Sequence, residues 1–271
     1  MSAKAQRNHH ARPLPGLFAR ALAATALASF LSLAGAGPLR AYDCPTELQP
    51  HLPPLEEPKD NIDKHKAQLR AYENGMDENR GAYHDDIKQV IADAQAYVMN
   101  RADKVERPAV VLDIDETSLS NWDNIDADDF GFIAGGECPM KAKMACGFPA
   151  WIDRAEAVAI EPTRDFFNAM RAKNIAVFFI TGRKNSQRRV TILNLHHEGF
   201  FDWTGLATRP DDDQRGSIVP FKSGERERIE NGEAAGKLYH IIATIGDQAS
   251  DLAGGHAECG FKIPNPFYFI P

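Results

Sequence analysis

The sequence predicts an α/β fold built on a mostly parallel sheet, and three observations carry that expectation. Residues 109–112 (AVVL), 175–180 (IAVFFI) and 239–245 (YHIIATI) are continuous apolar runs of strand length, the pattern of strands buried on both faces. Segments with helical spacing lie between them, as crossover connections require. Each run also ends in polar residues: Asp113 and Asp115, then Thr181, Gly182 and Arg183, then Asp247 and Asp251. Right-handed crossovers place all strand C-termini along one edge, so these residues can meet although they are far apart in the chain.

The chain has 271 residues, enough for one large or two modest domains at about 150 residues each. Residues 1–41 carry Lys4, Arg7, Arg12, Arg20 and Arg40 and no acid, then an Ala-rich uncharged run that ends in small residues at Ala34–Ala36 or Ala41. A basic start, an apolar centre and a small-residue end describe a secretory signal peptide, expected to be cleaved, with a periplasmic or secreted product. An uncleaved anchor is the rival, but Thr25, Ser29 and Ser32 interrupt the run. The stretch from Pro45 to Pro58 reads as irregular. Two helices follow, over Asn61–Tyr72 and Arg80–Arg101, the second with Ile87, Val90, Ile91, Ala94 and Val98 near one face. Residues 42–104 thus form an N-terminal extension, and 105–271 the core.

After the first strand, Trp122 to Trp151 shows little periodicity and reads as an irregular insertion, a lid or binding loop rather than a linker. Glu161-Pro162 opens the next helix, with Phe166, Phe167 and Met170 on one side and Asn174 ending it. Ser186 is placed to cap the helix carrying Val190, Leu193 and His197, with Gly199 as its stop. His196 and His197 are adjacent and so face different directions, unlike the i, i+4 pairs that bind metals on helices. A short strand is expected within Asp202–Arg209 and a solvated acidic turn at Asp211–Asp213. Lys222 and Ser223 open a charged helix that ends near Gly232, and the tail from Phe261 to Ile270 holds an edge strand and an extended end.

The formal net charge is -7, and loss of the five positive charges in residues 1–41 makes it -12. An acidic chain without a basic stripe is a poor partner for nucleic-acid polymers or anionic membranes, so an anionic substrate must be attracted locally. Homo-oligomerisation stays open. In an oxidising compartment the four cysteines default to disulfides. Spacing favours Cys138 with Cys146, which leaves Cys44 with Cys259. A zinc site is the rival, but no CxxC or His-rich segment supports it.

An unpaired carboxylate is expensive to bury, so Asp113 and Asp115 at the end of a buried strand ask for a cation or a reaction, unless they only start a turn. Asp247 and Thr181 at neighbouring strand ends, with Lys222 on a helix, favour the first reading. The carboxylate and hydroxyl oxygens suit a hard cation such as Mg²⁺. Carboxylate, metal and positive charge, without a serine triad or cysteine nucleophile, point to phosphoryl transfer: one Asp attacks phosphorus while a second moves protons.

DIDET at Asp113–Thr117, ITGR at Ile180–Arg183, FKSGER at Phe221–Arg226 and IGDQASD at Ile245–Asp251 resemble, in order and spacing, the four motifs of the haloacid dehalogenase (HAD) superfamily. The wording is most similar to its subfamily IIIB acid phosphatases. That resemblance implies a Rossmann-like core with a small cap inserted at about 122–151. It implies Asp113 as nucleophile, Asp115 as acid/base, Thr181 holding the phosphoryl group and Lys222 stabilising it; Gly182 and Arg183, within the ITGR motif, are candidate substrate contacts. Mg²⁺ would be held by Asp113, the main-chain carbonyl of Asp115, and Asp247, with Asp251 in support. The activity implied is hydrolysis of small phosphomonoesters. The alternatives are a storage or binding protein on the same scaffold and a phosphotransferase. Trp122, Phe130, Phe132 and Trp151 either stack on a nucleobase, favouring nucleoside monophosphates, or form the cap's own small core.

Overall fold

Continuous apolar strands and helical crossovers together decide the architecture. The computed structural model describes residues 44, 61–75, 81–138, 145–213 and 216–270. The signal peptide expected at 1–41 and the irregular stretch at 45–58 lie outside the described residues. Helix α1 spans Ile62–Asn74, capped by Asn61, whose side chain accepts from the Lys64 N–H at 3.1 Å. Helix α2 spans Ala82–Arg101 and buries the stripe Ile87, Val90, Ile91, Ala94 and Val98. Gly81 joins the two because a Cβ there would lie 1.9 Å from the Tyr72 carbonyl oxygen.

Strand β1 is Pro108–Leu112, followed by β2, Leu119–Ser120. The inserted segment carries α3, Trp122–Ala127, and α4, Phe148–Arg154, before β3, Val158–Ala159. The expectation of an irregular insertion is thereby corrected, since both of its ends are helical. Strand β3 pairs antiparallel with β2, so the insertion leaves and re-enters the core through a two-stranded ribbon. Two-residue strands give no periodicity, which is why the sequence did not reveal them.

Helix α5, Glu161–Ala172, buries Phe166, Phe167 and Met170 completely. Strand β4 is Ala176–Lys184, longer than the apolar run, because Thr181–Lys184 continues past a register shift against β5. Helix α6, Arg188–His197, is not capped by Ser186 as expected. Instead Asp211 accepts both the Ser186 N–H, at 3.1 Å, and its hydroxyl, at 2.7 Å, so the acidic turn works as an anchor. After β5, Gly205–Arg209, helix α7 spans Val219–Glu230 and starts three residues before Lys222, with Pro220 in its first turn. Then come β6, His240–Gly246, α8, Ala249–Leu252, and the edge strand β7, Cys259–Lys262, slightly earlier than expected.

The five-stranded sheet has the order β5-β4-β1-β6-β7 and every pairing is parallel. Val110, Leu112, Val177, Phe179 and Ile242 point to a face covered by α2, α5 and α6. Ala109, Val111, Phe178, Ile180 and Ile241 point to the face covered by α7. Successive strands move outward from β1 to one side, then return to fill the other, so the crevice at the C-terminal end of β1 is the topological switch point. Cys44 is bonded to Cys259, Cα to Cα 5.7 Å, and Cys138 to Cys146 at 4.5 Å.

Candidate active site

Asp113 is the first residue beyond β1, and its N–H continues the sheet ladder to the Ile245 carbonyl at 2.9 Å. The backbone therefore cannot release it from the strand end. Lys222, in the second turn of α7, donates to Asp113 Oδ1 at 2.8 Å and also to Asp251 Oδ1. Asp247 follows β6 directly, and Asp251 lies on α8 four residues later. Carboxylate oxygens of Asp113, Asp247 and Asp251 lie within 4.8 Å of one another, and all three residues are buried. The close approach depends on Gly246, where a Cβ would meet Asp251 Oδ2 at 2.3 Å.

Three carboxylates against one ammonium leave two formal negative charges in a buried cluster, the charge excess a divalent cation would cancel. The titration behaviour has the same origin. Burial pushes the Asp113 carboxyl well up despite Lys222, with Asp251, Asp247 and Asp115 adding to the rise. Burial and Asp251 push Asp247 up to about 7, against the lowering by its hydrogen bonds from Asn265 and Gln248. Burial alone would lower Lys222, but Asp113 and Asp251 outweigh it and keep the ammonium charged. An all-oxygen, acid-rich donor set of this kind fits a hard cation.

The loop from Asp113 to Leu119 is tight: the N–H groups of Ser118 and Leu119 both reach the Ile114 carbonyl at 2.8 Å. Within it, Glu116 takes the left-handed region, φ 52°, unusual for a side chain of this size. Glu116 is almost fully buried, held by the Asn121 N–H at 2.6 Å and by the Tyr268 hydroxyl, and burial next to Asp115 raises it to about 7. Asp115 is gripped by Arg183 through Nε at 3.0 Å and Nη2 at 2.7 Å, and by Asn121 Nδ2 at 2.9 Å. Trp151 Nε1 donates to Asn121 Oδ1 at 2.9 Å, which turns the Asn121 amide nitrogen toward Asp115.

The structure thus brings together Asp113, Asp115, Lys222, Asp247 and Asp251, with Thr181 fully buried on the neighbouring strand β4, at its register shift. Thr181 Oγ1 accepts the Arg183 N–H at 3.1 Å, which leaves its own hydroxyl hydrogen to donate elsewhere. Arg183, a candidate substrate contact from its motif, has a side chain only 1% exposed and engaged with Asp115. Gly182 is exposed, and a Cβ there would meet only Ile218 at an ordinary 3.6 Å. Trp122 packs against Phe130 and Phe267 and donates to Asn74 Oδ1 at 3.1 Å. With Trp151, Tyr83 and His84 it lines a cavity of about 130 Å³ to which none of the five clustered residues contributes. Arg226 donates to the carbonyls of Asp251, Ala253 and Gly255, tying α7 to the turn after α8. The sequence reading missed Glu116, Asn121, Gln248, Asn265 and Tyr268. Only Glu116 and Gln248 lie inside the quoted motifs, where they could have been noticed.

The profile of the HAD superfamily, subfamily IIIB (acid phosphatase), matches residues 57–271. Acid phosphatase 1 of Solanum lycopersicum is 31% identical over 166 residues, a match covering 60% of this chain and 60% of that protein. The stem 28 kDa glycoprotein of Glycine max is 31% identical over 193 residues, covering 69% of this chain and 70% of its own length. The fold is similar to that of a class C acid phosphatase from Bacillus anthracis solved with tungstate bound. That structure has a TM-score of 0.57 and 24% identity over 75% of this chain and 86% of the other.

Proposed function

This chain belongs to subfamily IIIB of the HAD superfamily, the acid phosphatases, and from that premise we propose that it hydrolyses small phosphate monoesters through an aspartyl-phosphate on Asp113. One observation carries the reading: Asp113 sits at the switch point, bonded to Lys222 at 2.8 Å and joined in one buried cluster by Asp247 and Asp251. An Asp113 carboxylate oxygen attacks phosphorus, the ester P–O bond breaks, and Asp115 gives its proton to the departing alkoxide oxygen. In the second half, Asp115 takes a proton from water, the water oxygen attacks phosphorus, and inorganic phosphate leaves with Asp113 restored. Lys222 stabilises the charge growing on the equatorial oxygens, and the Thr181 hydroxyl donates to one of them. Arg183 and Asn121 hold Asp115 so that it serves both halves.

Asp113, Asp247 and the main-chain carbonyl of Asp115, supported by Asp251, would hold the divalent cation, for which we propose Mg²⁺. When bound it neutralises the cluster and the phosphoryl oxygens. In a purified preparation, Asp113→Asn should cut phosphate release from an aryl phosphate by at least about 10³-fold while the circular dichroism spectrum stays unchanged. Retained turnover overturns the nucleophile assignment. EDTA should silence the wild type and Mg²⁺ restore it.

A preference for nucleoside monophosphates is the finer reading, supported by Phe132, an aromatic side chain on the inserted segment that is 76% exposed. It predicts a higher kcat/KM for a nucleoside monophosphate than for glycerol phosphate, and equal values count against it. Export is the proposed destination: residues 1–41 have signal-peptide character and two disulfides close the chain. Among the described residues no helix is long and apolar enough to cross a membrane. The substrate partner is a small molecule rather than a nucleic-acid polymer, which the net charge of -7 disfavours. Retention of every group the chemistry needs favours catalysis over a storage role.

A further inference from the structure

The C-terminal segment after β7 has no role in the chemistry above, yet its hydrogen bonds converge on it. Asn265 donates from Nδ2 to Asp247 Oδ2 at 2.6 Å, and Gln248 donates from Nε2 to the same oxygen at 2.7 Å. Amide groups can flip, so the question is what turns both nitrogens toward Asp247. The tail backbone does so in each case. The Phe267 N–H donates to Asn265 Oδ1 at 2.9 Å, and the Ile270 N–H donates to Gln248 Oε1 at 3.1 Å. With each amide oxygen occupied by a main-chain donor, each amide nitrogen has to face Asp247.

The tail is itself held in place. Its first residue, Ile263, donates to the Gly246 carbonyl at 2.8 Å. Asn265 lies between Pro264 and Pro266, whose rings restrict the backbone on both sides of it. The buried Phe267 ring packs 5.0 Å from Tyr83 and 5.1 Å from Trp122, and the Tyr268 hydroxyl donates to Glu116. Two donors on Oδ2 fix the carboxylate rotation of Asp247 and leave Oδ1, which the Thr117 hydroxyl reaches at a longer 3.4 Å, as the oxygen for a cation.

We propose that residues 265–270 are a positioning element of the active site, in which Asn265 and the Ile270 N–H, acting through Gln248, preset Asp247 for a divalent cation. The proposal rests on the hydrolase reading for its functional meaning, but its readout is metal affinity. Removing partners that orient a metal ligand weakens binding by about 10- to 100-fold.

The test is calorimetric titration of Mg²⁺ into the metal-free full chain without substrate. Asn265→Ala should raise the Kd by about 10- to 100-fold. It should raise the Mg²⁺ concentration for half-maximal phosphate release by the same factor, while kcat at saturating Mg²⁺ stays within about threefold. A purely structural role would lower Tm and leave that Kd in place. A chain ending at Tyr268 removes the donor on Gln248 Oε1 and keeps Asn265; its Kd should rise by a smaller factor, about 3- to 10-fold. That variant decides the matter if Asn265→Ala does not fold. A Kd within twofold of wild type in the variants that fold, or no Mg²⁺ binding by the wild type, overturns the proposal. Wild-type protein that binds Mg²⁺ but releases no phosphate sinks the hydrolase reading alone, and the Kd comparison still stands.

Discussion

Asp115 is held by two residues, Arg183 and Asn121, and the way it is held predicts how they fail. Arg183 offers a planar fork that a lysine cannot reproduce, so Arg183→Lys should lower kcat by about 10- to 100-fold with little change in KM, because substrate contacts stay intact while the proton shuttle loses its orientation. A KM rise of the same size without a kcat change would instead make Arg183 a substrate contact. Asp247 predicts a pH effect. Its metal-free pKa of about 7 lies above the ordinary 3.8, so between those values the folded state holds a proton that the unfolded state has lost. Stability of the metal-free protein therefore falls as pH rises toward 7, and thermal unfolding in EDTA should give a higher Tm at pH 5.5 than at pH 8. A cation competes with that proton, so apparent Mg²⁺ affinity should weaken as pH drops below about 7, and added Mg²⁺ should raise Tm most at pH 8. A flat Mg²⁺ affinity from pH 5.5 to 8 would argue that Asp247 is not a ligand.

Between elements, Glu258 is the junction that fixes α2 against the sheet. Just before β7, it takes the Arg101 guanidinium from the end of α2, Nε at 2.7 Å, and His240 Nε2 from the start of β6, also at 2.7 Å. Partial burial alone would raise this carboxyl, but Arg101 and His240 outweigh it and hold it below the ordinary 4.5. A depressed carboxyl contributes stability above the unfolded value and loses it as pH falls through the folded one. Glu258→Gln should cost about 1 kcal/mol at pH 7, allowing for solvent screening. The gap from wild type should close as pH falls below about 4. Denaturant unfolding at pH 7 and pH 3.5 measures both, and a constant gap would mean that packing, not charge, is lost. Helix α7 shows a second element-scale effect. Its start at Val219 rather than Lys222 places Lys222 in the second turn, level with Asp113, while Arg226 one turn later locks α7 to the turn after α8.

Across the whole molecule, the Cys44–Cys259 bond ties a residue before all the described helices to the last strand, 215 residues apart. In the chain-entropy account, a loop of that length contributes about 5 kcal/mol by restricting the unfolded chain. Cys44→Ser should therefore lower stability by several kcal/mol in denaturant unfolding while phosphate release at 25 °C persists, since no site residue lies next to the bond. Loss of activity in the folded variant would show that the bridge also shapes the site. The Cys138–Cys146 bond spans 8 residues within the inserted segment, and its smaller loop implies a smaller contribution.

The parallel sheet, the continuous apolar strands and the acids at two of the three strand ends, with Thr181 at the other, were legible in the sequence. A strand buried on both faces reads as a continuous apolar run, and an unpaired acid beside such a run conflicts with burial unless something answers its charge. Short β2 and β3 and the true start of α7 were not legible, because two-residue strands and a helix's first turn carry no period. Nor was the set of residues that aim Asp115, Glu116 and Asp247: Asn121, Asn265 and Tyr268 are ordinary polar residues outside every motif, and their hydrogen bonds, across 6, 18 and 152 residues, follow no repeating spacing. The sequence by itself determined which acids stand at the strand ends, since local hydrophobic pattern sets strands and strand order sets one edge. Which way those acids face was decided only by tertiary structure, because a carboxylate takes its orientation from donors that folding alone brings within about 3 Å.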